Sequence, residues 1–289
     1  MLHEIFVAPF VDYEFMRRAL VGSIALAISG SPLGVFLILR RMSLAGDALS
    51  HAILPGAALG YLVCGLSLSA MTFGGLAAGL AVAVASSAAA RWTALREDAS
   101  LAAFYLVSLA LGVAIVSLKG SNVDLLHVLF GSVLALDDAT LIFLAAIASV
   151  TLLALAVSYR ALALDTLDPQ FARRVSPLGE AVPFAFLVLV VLNLVAGFHA
   201  LGTLMAVGVI MLPAASARLW TRDLTAALPL AAALGAISSY AGLVLSFRSG
   251  LPAGPVIILM AGAAYFLSLI FGQAGGLVRL RRPHRHLEG

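Results

Sequence analysis

Asp47 and His51 are the residues whose types and spacing invite chemistry. A carboxylate and an imidazole stand four apart in the run Arg40-Arg41-Met42-Ser43-Leu44-Ala45-Gly46-Asp47-Ala48-Leu49-Ser50-His51-Ala52-Ile53-Leu54-Pro55-Gly56. On a helix this spacing places them one above the other on the same face, with Cβ atoms roughly 6 Å apart. Such a pair can grip one small cation. Asp47 also has a plainer use, because a carboxylate early in a helix stabilises its positive end. Gly46 before the pair, and Pro55 with Gly56 after it, allow a helix to bend or to approach a neighbour closely. Ser50 beside His51 is no nucleophile arrangement, since adjacent helical residues point about 100° apart.

The elements that carry this pair are apolar. The 289 residues are 62% hydrophobic and 11% charged, with a mean hydropathy of +1.09, whereas a soluble domain is roughly 25% charged. The natural solvent of such a chain is lipid. The fold class expected is all-α, a polytopic transmembrane bundle of eight or nine spans forming one domain over 1–289, with no sizeable soluble unit. Apolar runs qualify at about 18–39, 46–65, 69–90, 99–118, 139–158, 182–198, 200–220, 224–247 and 253–272. The divisions near 65–69 and 198–201 are the narrowest. The run at 18–39 is too long for a signal-peptide core and reads as a span. Before it, 1–16 mixes aromatic and acidic residues and reads as an interfacial segment.

Charge sets the orientation. Of 17 basic residues, 16 are Arg, and they fall in short clusters between apolar runs, which is a footprint of topology rather than of nucleic-acid binding. With Arg40 and Arg41 cytoplasmic, thirteen basic residues lie inside and only Arg17, Arg18, Lys119 and Arg248 outside. The positive-inside rule therefore puts the basic tail, 273–289, in the cytoplasm and the N-terminus outside. Arg17 and Arg18 run against it.

Two connections exceed simple turns. The external stretch 119–138 is half apolar and reads as a short or re-entrant helix. The cytoplasmic connection 159–181 contains Asp168, Pro169, Gln170, Phe171, Ala172, Arg173 and Arg174, in which Asp168 can cap a short helix and Pro169 fits its first turn. An exposed helix between spans, with Phe171 as an aromatic knob beside basic residues, is the kind of element that docks into a partner. Gly75 and Gly79 favour close helix packing. The lone Cys64 excludes an internal disulfide and any multi-cysteine metal site, leaving nitrogen and oxygen ligands. No Gly-rich phosphate loop and no His-Glu-x-x-His occurs, so the chain does not itself hydrolyse ATP and is not expected to be an enzyme.

Three stretches resemble the permease subunits of ATP-binding-cassette (ABC) importers for zinc and manganese: PFVDYEFMRRALVGSIALAISGSPLGVFLILRRMSLAGDALSHAILPGAALGY, VDLLHVLFGSVLAL and HALGTLMAVGVIMLPAASARL. The similarity covers nearly the whole chain, and RRMSLAGDALSHAILPG is its most specific piece. The resemblance implies a homodimeric core in the bacterial plasma membrane, two cytoplasmic ABC ATPase subunits that hydrolyse ATP, and an external solute-binding protein that delivers the metal. It makes 168–175 the coupling helix, although the family's usual glycine shortly after the position of Ala172 is replaced here by Arg173-Arg174-Val175-Ser176. It also matches Asp47 and His51 to the family's metal-contacting positions. Ionisable residues inside a span are functional by default, and imidazole with carboxylate suits zinc, manganese or iron. Two ligands are half of a tetrahedral site, so a two-fold axis would complete four.

The transported ion is the only small-molecule partner implied, with no permanently bound cofactor. His199 and His127 fall near external ends and are candidates for receiving metal there. Pro213 is either a simple kink or a hinge for alternating access. Two rivals are a permease for metal chelates such as siderophore or cobalamin, and a proton-coupled secondary transporter in which Asp47 and His51 relay protons.

Overall fold

A computed structural model of the chain describes residues 4, 6–65, 67–93, 97–118, 133–175 and 181–280. Among the described residues there is no strand, and nine helical spans are long and apolar enough to cross a membrane. In order, the helices are α1 (Ala8–Asp12), α2 (Glu14–Leu39), α3 (Ala45–Ala52), α4 (Leu54–Cys64), α5 (Leu68–Trp92), α6 (Glu97–Leu118) and α7 (Asp138–Leu167). Then follow α8 (Pro169–Val175), α9 (Ala181–Leu201), α10 (Thr203–Trp220), α11 (Leu224–Ser249), α12 (Ala253–Phe271) and α13 (Leu277–Leu280). Helices α3 and α4 together make the second span.

The segment boundaries depart from the sequence expectation in four places. The first long helix begins at Glu14, inside the 1–16 segment expected at the interface; extended backbone at Tyr13 separates it from α1. The division expected near 198–201 lies at Gly202, whose φ of 88° is the left-handed region that glycine enters without penalty. Helix α7 continues through Leu167, so 159–167 is helix rather than loop; its apolar and small residues give no signal to stop before Asp168 and Pro169. Asp138, placed at the end of an external loop, is the first residue of α7, and Asp137 caps it by accepting from the Thr140 backbone N–H at 3.0 Å. The Thr140 hydrogen bonds hold the Asp137 carboxyl below the usual carboxylate range. The rest of 119–132, including His127, and the tail 281–289 lie outside the described residues.

Helices α2 and α9 form the centre, with 72% and 67% of their spans covered against 28% for α6, α7 and α12. On one side pack α3 to α6, on the other α10 to α12, while α7 lies against both α2 and α9. Lipid supplies no hydrophobic drive between helices, so small residues and buried polar contacts must. Both are present. Asn193 on α9 is fully buried; its Nδ2 donates to Thr151 of α7 and its Oδ1 accepts from Ser29 of α2, each at 2.7 Å. Gly34 lets α2 come so near α10 that a Cβ there would collide with the Ile210 carbonyl.

Pro213 interrupts α10 by removing the N–H that would serve the Val209 carbonyl. Ser31 of α2 replaces it, donating its hydroxyl to Val209 O at 2.9 Å. The proline is thus a satisfied break tied to the central helix.

Ion pairs join α2 and α7 at both ends. Arg18 of α2 pairs with Asp138 of α7 at 2.9 Å and with Glu14 at 2.7 Å. At the opposite ends of the same two helices, Arg40 pairs with Asp165. Both arginines that run against the charge rule thus have partners: Arg18 has two carboxylates, and Arg17 donates to the Val11 carbonyl at 2.8 Å, closing α1.

Candidate functional site

The site helix α3 is short for reasons written in its sequence. It follows a tight stop to α2 in which Met42 N–H bonds Leu37 O at 2.9 Å and Arg41 N–H bonds Ile38 O at 3.0 Å, with Arg41 at φ 60°. That is a Schellman stop with arginine where glycine is usual. At the other end Pro55 has no N–H for the His51 carbonyl, and the helix breaks at Ile53 before resuming as α4. Ser108 of α6 donates to the Ala52 carbonyl beside the break, at 3.1 Å.

Glycines hold the broken span against its neighbours. Gly56 of α4 and Gly74 of α5 touch backbone to backbone, and a Cβ on either would collide with the other's carbonyl. A Cβ on Gly75 would lie 2.6 Å from the Ile53 side chain, and one on Gly79 2.8 Å from Val191. The Gly75 and Gly79 pair therefore makes room for Ile53 at the break.

On this frame His51 Nε2 lies 3.6 Å from Asp47 Oδ1. Asp47 stands in the first turn of α3, where the helix dipole also favours a carboxylate. Its side chain is 60% exposed, while that of His51 is 27% exposed and stacks on Tyr105 of α6 with ring centroids 6.4 Å apart. His51 Nδ1 is buried with no hydrogen-bond partner. The span holding the pair has the lowest mean hydropathy of the nine, 1.2. His51 sits six residues from the start of α3, about 9 Å along its axis at 1.5 Å per residue. The pair therefore lies near the end of the bundle where α2 stops, one side chain largely covered and the other open.

Chemically, this chain supplies one carboxylate and one imidazole. Among the described residues no group of three or more His, Cys, Asp or Glu gathers to hold a metal alone. The other candidate positions are elsewhere. His199 is in the last turn of α9, at the opposite end of the bundle from Arg40, and His127 lies outside the described residues. At the connection after α7, Asp168 Oδ1 accepts from the Gln170 and Phe171 N–H groups at 3.0 and 2.9 Å, the cap that its position in the sequence predicts. Phe171 is 50% exposed and Ala172 is buried, so α8 rests on α7 and presents an aromatic outward. Gln170 and Arg174 are exposed as well; Pro169 and Arg173 complete the same helix.

Sequence reading missed Tyr105, Ser108 and the pair of Arg40 with Asp165. Tyr105 and Ser108 carry no motif and meet α3 only through the packing of α6. Asp165 did hold a signal, a carboxylate within an apolar run.

Among the described residues, nine helical spans long and apolar enough to cross a membrane define an integral membrane protein. Residues 12–272 match the family model described as the ABC 3 transport family. The manganese transport system membrane protein MntC of Listeria monocytogenes is 30% identical over 275 residues, covering 95% of this chain and 96% of that protein. A protein of the same name from Halalkalibacterium halodurans is 31% identical over 285 residues, covering 98% and 96%. Among solved structures, PsaBC from Streptococcus pneumoniae in complex with Fab superposes with a TM-score of 0.84 at 28% identity, covering 98% of this chain and 100% of that one. The chain belongs to the ABC 3 transport family, and it is an integral protein of the bacterial plasma membrane.

Proposed function

We propose that this chain is the permease subunit of an ABC importer for a divalent transition-metal ion, with manganese the first candidate cargo and zinc and iron its competitors. The observation that carries the reading is Nε2 of His51 facing Oδ1 of Asp47 at 3.6 Å, with Asp47 open on one side. The manganese named in the relatives' descriptions supports the choice of ion. Carboxylate and imidazole ligands accept all three metals, so selectivity rests on geometry and delivery.

The open side of Asp47 fits a second copy of the chain. A two-fold axis beside α3 would bring two carboxylates and two imidazoles to one ion, with water filling the remaining positions of a metal that prefers more than four ligands. Two ATPase subunits would dock on α8 of each copy, with Phe171 as the knob and Arg174 beside it. An external binding protein would deliver the ion. ATP-driven closure then moves α8 and switches the side to which the pair opens. A site of this kind must bind weakly enough to release its ion.

Uptake assays in cells lacking their own importers test this reading. With the ATPase subunit co-expressed, manganese uptake should follow ATP supply and be competed by zinc and iron in the order of their transport. Uptake driven by a proton gradient without any ATPase would contradict it and favour the proton-coupled rival.

A further inference from the structure

Arg40 is held by both ends of the chain segment that contains α8. Its guanidinium pairs with Asp165, three residues before the Asp168 cap, at 2.5 Å, and lies over the ring of Phe186, on the first turns of α9, at 4.6 Å from the centroid. Side-chain exposure is 11% for Arg40 and 6% for Asp165. Phe186 is itself locked edge-on against Phe36 of α2, with ring centroids 6.1 Å apart. Helix α8 lies in the chain between Asp165 and Phe186, so a shift of α8 must pass through one or both of the helices that grip Arg40.

From Arg40 the path to the ligand pair is short. Arg40 closes α2, Arg41 adopts its left-handed turn, and α3 begins at Ala45, two residues before Asp47. The turn is fixed by two backbone hydrogen bonds, so it moves as a unit with Arg40.

A stability role explains this pair poorly. Asp165 Oδ1 is buried without a hydrogen-bond partner. A buried ion pair with unsatisfied oxygen is often no better than well-packed apolar residues. The same incompleteness suits a contact that changes between two arrangements.

We propose that Arg40, clamped by Asp165 and Phe186, is a positioning residue that couples movement of α8 to the helix carrying Asp47 and His51. The inference rests on the permease reading above. When α8 moves, α7 and α9 carry Asp165 and Phe186 with it, the clamp drags the turn at 40–42, and α3 follows.

The test uses the permease purified with its ATPase subunit and reconstituted in liposomes, with manganous chloride as the transported probe. Manganese uptake and phosphate release are measured in the same vesicles. The double variant Arg40→Met/Asp165→Leu removes both charges and leaves apolar residues, a replacement that buried pairs tolerate. It should assemble and hydrolyse ATP at near the wild-type rate while manganese moved per phosphate falls roughly tenfold. Phe186→Leu, which keeps the pair and removes only the ring, should lower the same ratio severalfold. A wild-type ratio in the double variant overturns the coupling role; if that variant does not assemble, a wild-type ratio in Phe186→Leu does so. Wild-type vesicles run alongside judge the permease reading separately, because absence of ATP-driven uptake there overturns that reading and this one together.

Discussion

At the scale of single residues, the second span is shaped by a few positions where the backbone lacks an ordinary solution. Arg41 occupies the left-handed position of a helix stop that glycine usually takes. A side chain there costs on the order of 1 kcal/mol relative to glycine. Arg41→Gly is therefore expected to raise stability by about 1 kcal/mol, read as a higher melting temperature in detergent; a lower one would show that the arginine side chain holds a contact worth more than the strain. The candidate pair stands out in the sequence because Asp47 and His51 are four apart in an apolar run and carry cost unless used. The environment that makes His51 what it is does not. Tyr105 and Ser108 reach α3 from α6, more than fifty residues along the chain, and nothing local in either marks it.

Among the elements, periodicity and length located every described span, since runs of about 20 apolar residues have few alternatives. Boundaries were harder. Helix α7 runs on to Leu167 because its last turns contain good helix formers and no breaker until Asp168 and Pro169. The stop at Gly202 was displaced by a few residues from the expected one because the apolar run hides it. The break between α3 and α4, by contrast, follows from Pro55, and the cap on α8 from Asp168. That cap holds α8 with Phe171 half exposed, which is the geometry a docking knob requires. Phe171→Ala should leave the permease folded, since the side chain contributes little to the core, yet cut metal transported per ATP hydrolysed by roughly tenfold. Unchanged transport and unchanged ATPase stimulation would count against α8 as the coupling element.

Taken whole, the molecule is a helical bundle whose two central helices, α2 and α9, are joined by polar contacts and flanked by two lateral groups. The positive-inside pattern fixed its expected direction, and its two arginines on the wrong side have partners: Arg18 with Glu14 and Asp138, Arg17 with the Val11 carbonyl. A charge rule counts residues and cannot see such pairing, which is why those arginines stood as exceptions. On the proposed reading one chain would offer Asp47 and His51 and leave Asp47 open, which predicts a dimeric transporter with the ion on its axis. The most direct test is ATP-driven manganese uptake by reconstituted complexes carrying Asp47→Ala or His51→Ala. Both variants should assemble with the ATPase and show uptake reduced to background; wild-type uptake by both would contradict the assignment of the pair as the transport site.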